Sequence, residues 1–310
     1  MIRRLRDARV AVLLGGLSAE REISVRSGTA VAAALRQRGY RVTEVRVGRD
    51  LPARLARLKP DVAFNALHGR YGEDGAVQGV LELLAIPYTG PGILTSALAM
   101  DKTMAKTVWR SQGLPTPRWT VVAAKARRLP PLPASLPVVV KPNSEGSSVG
   151  VSIVRARSGL AAAVRLAGRS DRRVIIEEYV PGKEVTVGIL DGRALGALEV
   201  VAKGEFHSYD VKYTPGREEF FMPARLPAAV SARVLELAAA AHAALGGGAY
   251  SRVDLRVDGR RAYLIELNSL PGLTTLSYLP LIAEHAGMDF GDLCEAILER
   301  AALGIQESRR

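Results

Sequence analysis

Cysteine is almost missing from this chain, and the single Cys294 among 310 residues excludes an internal disulfide and a cysteine-built metal cluster. Its neighbours Leu293, Ala296 and Ile297 read as a helical tail, which makes it a small core residue. Aromatic residues are scarce at 5%, and no basic run interleaved with aromatics occurs, so the usual dress of a nucleic-acid binder is missing. Acidic residues are outnumbered, 31 against 43 Lys and Arg, for a net charge of +12. That excess attracts phosphate-bearing partners. The arginines are scattered along the whole chain, so small anionic nucleotides explain the excess more simply than nucleic acid does. No apolar run reaches the length of a membrane span. Met1 to Arg9 is basic but leads straight into Val10–Leu14, without a signal-peptide core. A cytoplasmic protein with no membrane insertion and no nucleic-acid partner is expected.

What is present is ordinary globular composition, 48% hydrophobic and 24% charged, over a length that suits two or three domains. The first ninety residues alternate: strand Val10–Leu14, helix Val25–Arg38 with Ser24 as N-cap, strand Arg41–Val47, strand Asp61–Asn65. This βαβ grammar predicts a parallel sheet with working loops at the strands' C-terminal ends. Two loops there stand out, Gly15–Ser24 and His68–Gly75; the first lacks the G-x-G-x-x-G spacing of a dinucleotide site. A helical bridge, Ile93–Gly113, follows. Strands Trp119–Val122, Val138–Lys141, Val151–Val154 and Val174–Glu178, with helix Ser158–Ala167, make a small α+β unit. The last third has strands Glu184–Leu190 and Leu195–Val201, a polar loop Lys203–Glu219, helix Ala228–Leu245, a hairpin and two terminal helices.

The hairpin carries Arg252-Val-Asp254 and Glu266-Leu-Asn268 around a turn at Asp258-Gly259. Spacing of i, i+2 puts each pair on one face of its strand. Three oxygen donors and a guanidinium can then converge, a set suited to Mg²⁺ and to charge on a reacting oxygen. Parity sets a condition. A two-residue Asp-Gly turn pairing Val257 with Arg260 puts Glu266 on the other face of the hairpin from Asp254, so a shared site needs an odd loop or a bulge, for which Gly259 is suited. Taken alone, the same pattern also describes an exposed hairpin with a wet polar side.

Val138–Gly150 is a strand that runs into a Gly- and Ser-rich loop, where backbone N–H groups, Ser147, Ser148 and Lys141 can wrap phosphate oxygens. It is not a Walker A loop, and a plain turn reads the same in isolation. In Glu177–Glu184 a Pro-Gly crossover joins two strands. Glu177 can accept from an adenine amino group, the Val180 backbone can read the ring edge, and Glu184 can bind ribose hydroxyls. Surface carboxylates around a turn are the alternative.

Together the Lys141–Gly150 loop, Glu177…Glu184, Arg252-x-Asp254 and Glu266-x-Asn268 resemble the ATP-grasp superfamily. With Gly15–Ser24, Leu67–Gly75 and Tyr88-Thr-Gly-Pro-Gly92, the chain resembles the D-alanine:D-alanine ligase family within it, in order from about Val10 to Leu298. The resemblance implies an α/β and α+β fold of three domains: an N-terminal parallel-sheet, Rossmann-like domain (1–92), a central subdomain (93–176) and a C-terminal catalytic domain (177–310), the last two sandwiching ATP. It implies phosphorylation of the first D-alanine's carboxylate by ATP, attack by the second D-alanine's amine and departure of phosphate, for cell-wall precursor synthesis. A same-fold alternative uses D-lactate, D-serine or another amino acid as second substrate.

By the same resemblance Glu20 holds the first substrate's ammonium through a link with Ser147 and Tyr213, and His68 lies near that substrate. Lys102, Lys141 and Ser148 bind ATP phosphates, and Glu177, Val180 and Glu184 the adenosine. Asp254, Glu266 and Asn268 hold two Mg²⁺, with Mn²⁺ as a substitute and a monovalent cation such as K⁺ as an addition. Arg252 and the Gly272 N–H stabilise the oxyanion, while Lys212 and Ser277 meet the second substrate's carboxylate. A homodimer is also implied. For His68, a loop-ordering role and a proton-transfer role both stand. Tyr278 and Glu178 depart from the family pattern at positions that act through backbone, and Lys212-Tyr213 is the pattern that goes with D-alanine as acceptor. Lys203–Glu219, long and polar, has the composition of a loop that closes over a reactive acyl phosphate.

Overall fold

A computed structural model describes residues 7–146, 148–202 and 218–305. Three sheets organise them. Strands β1 (Arg9–Gly15), β2 (Arg41–Val47) and β3 (Val62–Asn65) form a parallel sheet in the order β2-β1-β3. Val10 to Leu14 are all buried, as a central strand covered on both faces requires. Helix α1 (Arg21–Gln37) packs on one face; α2 (Leu51–Leu58) and α3 (Ala76–Leu83) cover the other.

Ser24 does not cap α1. The helix begins one turn earlier, with Glu20 at the N-cap, and Ser24 is fully buried. Its Oγ accepts the Gly15 N–H at 2.9 Å and donates to the Ala66 carbonyl at 2.8 Å, tying the ends of β1 and β3 to the helix. A hydroxyl with two backbone partners across 42 residues is a tertiary fastener that local capping rules do not anticipate.

The bridge is two helices, α4 (Ile93–Met100) and α5 (Lys102–Ser111), split at Asp101, whose carboxylate accepts the Met104 N–H at 3.1 Å as N-cap. Strands β4 (Trp119–Ala123), β5 (Val138–Pro142), β6 (Ser152–Val154) and β7 (Arg173–Glu178) form a four-stranded antiparallel sheet in the order β4-β7-β5-β6, backed by α6 (Leu160–Ala167). Strands β8 (Lys183–Leu190), β9 (Arg193–Ala202), β10 (Glu218–Phe221), β11 (Tyr250–Asp258) and β12 (Arg261–Asn268) make a five-stranded antiparallel sheet in the order β10-β9-β8-β11-β12. Glu218 and Glu219, expected in a loop, belong to β10. Helix α7 (Ala228–Ala244) and the bridge helices fill the core on one face of this sheet, through Ala99, Ala105, Trp109 and Val234.

Helices α8 (Tyr278–His285) and α9 (Phe290–Leu298) return to the N-terminal sheet, where Leu293, Cys294, Ile297 and Leu298 share a core with β1 and α1. Burial pushes the Cys294 thiol up to about 12, so it packs as an inert small side chain.

The parity condition is met, but not at the turn. Gly259, with φ of 57°, starts a two-residue turn that pairs Asp258 with Arg261. The register then shifts between Asp254 and Leu255, so that Leu255 faces Leu264 while Asp254 faces Glu266. The extra residue is Ile265. It leaves Ala262, Leu264 and Leu267 all in the core and turns Glu266 and Asn268 to the face that carries Arg252 and Asp254.

Candidate active site

Between the four-stranded and five-stranded sheets lies a cavity of about 480 Å³, a size that suits a nucleotide. Strand alternation supplies its walls. On β5, Val138 and Val140 go to the core while Val139 and Lys141 line the cavity; on β11, Val253, Leu255 and Val257 pack inward and leave Asp254 and Arg256 on the open side. Ile153, Val200 and Ile265 add apolar surface for a base. Of the residues read as ATP-binding, Lys102, Lys141, Ser148, Glu177, Val180 and Glu184 all line this one cavity, as do Asp254 and Glu266.

Glu177 is placed behind Lys141. The Lys141 Nζ donates to its Oε1 at 3.1 Å, and the Nζ of the fully buried Lys106 forms an ion pair with Oε2 at 2.7 Å, without hydrogen-bond alignment. Burial alone would raise the carboxyl; the two ammonium groups more than reverse that and hold it below its ordinary range. Burial in turn pushes Lys106 down to about 8, against the pull of Glu177.

At the other end of the cavity Asp254 collects donors. Arg252 gives it Nε and Nη2, each at 2.9 Å, Thr186 Oγ1 donates at 2.5 Å and Asn268 Nδ2 at 3.0 Å. The Lys102 Nζ lies 3.3 Å from Glu266 Oε2 and donates to the Glu145 carbonyl at 2.7 Å. Arg252 is largely enclosed, which disfavours its charge, yet Asp254 outweighs this and keeps the guanidinium firmly protonated. Its face rests 5.2 Å from the Tyr278 ring, whose hydroxyl donates to Glu218 at 2.9 Å.

The N-terminal loops close the third side. A Cβ on Gly69 would sit 2.7 Å from Glu20 Oε2, and one on Gly146 3.0 Å from Oε1, so the two glycines leave room for the Glu20 carboxylate where it stands between the loops. Gly146 directly precedes Ser147, which lies outside the described residues, as do Lys212 and Tyr213. Ser277 is the N-cap of α8; a Cβ on Gly272 would meet its Oγ at 2.9 Å, so these two expected substrate contacts adjoin.

The family described as D-ala D-ala ligase C-terminus matches residues 108–299, and D-ala D-ala ligase N-terminus matches residues 51–91. The D-alanine–D-alanine ligase of Citrifermentans bemidjiense is 52% identical over 305 residues, 98% of this chain and 99% of that protein. The chain belongs to the D-alanine–D-alanine ligase family. The Geobacter sulfurreducens ligase is 51% identical, over 97% of this chain and 96% of its own. The crystal structure of the Bacillus anthracis ligase complexed with ATP superposes with a TM-score of 0.83 at 34% identity, covering 94% of this chain and 97% of that one. The mixed architecture of a parallel sheet and two antiparallel sheets is therefore the ATP-grasp fold of this ligase family.

His68 sits between α1 and the segment that follows β12. The Leu270 carbonyl, 3.0 Å away, can only accept, so Nδ1 carries the proton. The Ser27 Oγ accepts the Leu273 N–H at 3.2 Å and so gives its own proton to His68 Nε2 at 3.1 Å. Burial first, and the Arg252 charge with it, hold the imidazole below its ordinary pKa against Glu20 and the Leu270 carbonyl. These contacts link α1 to the segment that bears Gly272, which supports the loop-ordering role for His68. In His68→Ala, kcat is expected to fall about tenfold with no change in the shape of its pH profile. The folded pKa lies below the ordinary 6.5, so the unfolded chain protonates first and wild-type stability drops as pH falls through about 6.5; urea midpoints against pH should lose that slope in the variant.

Four further residues contribute that the motifs did not point to. Lys106 sits one helical turn beyond Lys102, a spacing that puts both on one face of α5. Glu73 accepts the Gly69 N–H at 2.7 Å, and enclosure, then Glu20, pushes it up to about 8. Thr186 is brought opposite Asp254 by the β8–β11 register. Arg256 continues the Arg252, Asp254 row on β11, a signal present in the sequence. Glu178, also on the cavity wall, takes a two-pronged contact from Arg118.

Proposed function

We infer that this chain is an ATP-dependent, ADP-forming D-alanine–D-alanine ligase that makes the dipeptide used in peptidoglycan precursors. The observation that carries this is one continuous space. The cavity between the two antiparallel sheets runs from Val180, in the link between β7 and β8, to Lys102 and Lys141 and on to Asp254 and Glu266, beside Arg252 and the Glu20 pocket.

In this reading Lys102, Lys141 and Ser148 bind ATP phosphates, with Glu177 orienting Lys141 rather than meeting the adenine amino group directly. Glu184 takes the ribose. Asp254, Glu266 and Asn268 offer only oxygen donors, which fits a hard cation; among the described residues no cluster of three His, Cys, Asp or Glu competes as a metal site. Two Mg²⁺ held there, or Mn²⁺ in their place, would draw charge from the transferring phosphoryl group. Glu20, through Ser147 and Tyr213, holds the ammonium of the first D-alanine so that its carboxylate faces the γ-phosphate. The amine of the second D-alanine, anchored through Lys212 and Ser277, attacks the acyl phosphate. Arg252 and the Gly272 N–H receive the negative charge of the tetrahedral intermediate, and phosphate leaves.

Three units, 1–92, 93–176 and 177–310, would carry these roles, with the bridge helices lying on the last unit's sheet and the terminal helices on the first's. No helix among the described residues is long and apolar enough to cross a membrane; the cytoplasmic location follows from the ligase reading. The homodimer rests on the family resemblance. Tyr213→Phe is expected to leave ATP affinity unchanged and to raise the share of D-lactate ester in mixed-acceptor incubations by about tenfold. Product analysis with D-alanine, D-lactate and D-serine as acceptors tests the assignment; finding no D-alanyl-D-alanine in the wild type refutes it.

A further inference from the structure

Arg256 is the third member of an i, i+2, i+4 row with Arg252 and Asp254 on β11, and it lines the nucleotide cavity. Its guanidinium turns away from the phosphate end, towards the strap that links β7 with β8. Nε donates to the Val180 carbonyl at 3.2 Å, Nη2 donates to the Gly182 carbonyl at 2.6 Å, and Nη1 lies 3.6 Å from Glu184 Oε2. One planar fork thus holds two strap carbonyls and the nearby carboxylate, a task a point-charge ammonium cannot do in full.

The strap is pressed against β11 as well as bonded to it. Gly182 has a φ of 93°, and a Cβ there would lie 2.1 Å from the Val257 carbonyl oxygen. Pro181 has no N–H to offer and a fixed φ. The strap passes from one wall of the cavity to the other, and Val180, Gly182 and Glu184 all line it. Without Arg256 its carbonyls would have to find water or twist, and Glu184 would lose a cation beside it.

We propose that Arg256 is a positioning residue for the nucleoside end of ATP, fixing the strap against the base and Glu184 at the ribose hydroxyls. The inference rests on the ligase reading and adds a residue to it. Replacement by methionine keeps the stem and removes the fork; replacement by lysine keeps the charge.

The test compares ATP with 2′-deoxy-ATP in D-alanine-dependent ADP release, for wild type, Arg256→Met and Arg256→Lys. In Arg256→Met the KM for ATP should rise about tenfold while kcat falls less than about twofold and the KM for D-alanine holds. The KM ratio of 2′-deoxy-ATP to ATP should fall toward one, with Arg256→Lys in between. An equal loss for both nucleotides, leaving the ratio at its wild-type value, overturns the role. If Arg256→Met does not fold, the ratio in Arg256→Lys decides by the same criterion. A wild type that releases no ADP with D-alanine sinks the ligase reading itself, whereas an active wild type with unmoved ratios sinks only the role of Arg256.

Discussion

Glu266→Gln is expected to lower kcat by about a thousandfold or more, some 4 kcal/mol of activation free energy, with the fold intact. The substitution conserves volume and one oxygen, so the strand and its bulge remain. What goes is a negative charge that faces Asp254 across the hairpin and lies 3.3 Å from Lys102 Nζ. A divalent cation would lose a charged ligand, and Lys102 would lose the group that aims it at the phosphates. Steady-state ADP release over a Mg²⁺ titration checks this. The expected outcome is a low plateau reached only at raised Mg²⁺; ordinary turnover would contradict the metal assignment.

Arg252→Lys should cost about 10²–10³ in kcat, the scale seen when one oxyanion donor is removed. Arg252 spends Nε and Nη2 on Asp254, and Nη1 has no hydrogen-bond partner among the described residues. A lysine can keep the charge near Asp254 or reach the reacting oxygen, but its single nitrogen cannot keep the forked geometry that does both. ATP affinity, measured by equilibrium titration with a non-hydrolysable analogue, should change little. A variant with kcat near wild type would remove Arg252 from the transition state.

Most of the site was legible because its parts are local. Lys141 ends a strand, Asp254 and Glu266 sit in i, i+2 pairs, and Glu20 and His68 lie in loops after parallel strands, so period and turn chemistry give their places while the family resemblance gives their roles. What was hidden depends on contacts across the chain. Ser24 reads as a cap locally and becomes a fastener only once Ala66 is beside it. Lys106 looks like one more helix lysine until β7 brings Glu177 to it. The bulge at Ile265 is written in the spacing of Ala262, Leu264 and Leu267, but Gly259 was the more conspicuous candidate for it and forms a regular two-residue turn instead. The return of α8 and α9 to the first sheet has no sequence signal beyond their apolar faces.

The joining of two D-alanines is tested most directly by D-alanine-dependent phosphate release with identification of the product. ATP, Mg²⁺ and D-alanine should give ADP, phosphate and D-alanyl-D-alanine in equal amounts, with no release when D-alanine is omitted. ATP consumption that does not depend on D-alanine, or release without the dipeptide, would contradict the assignment.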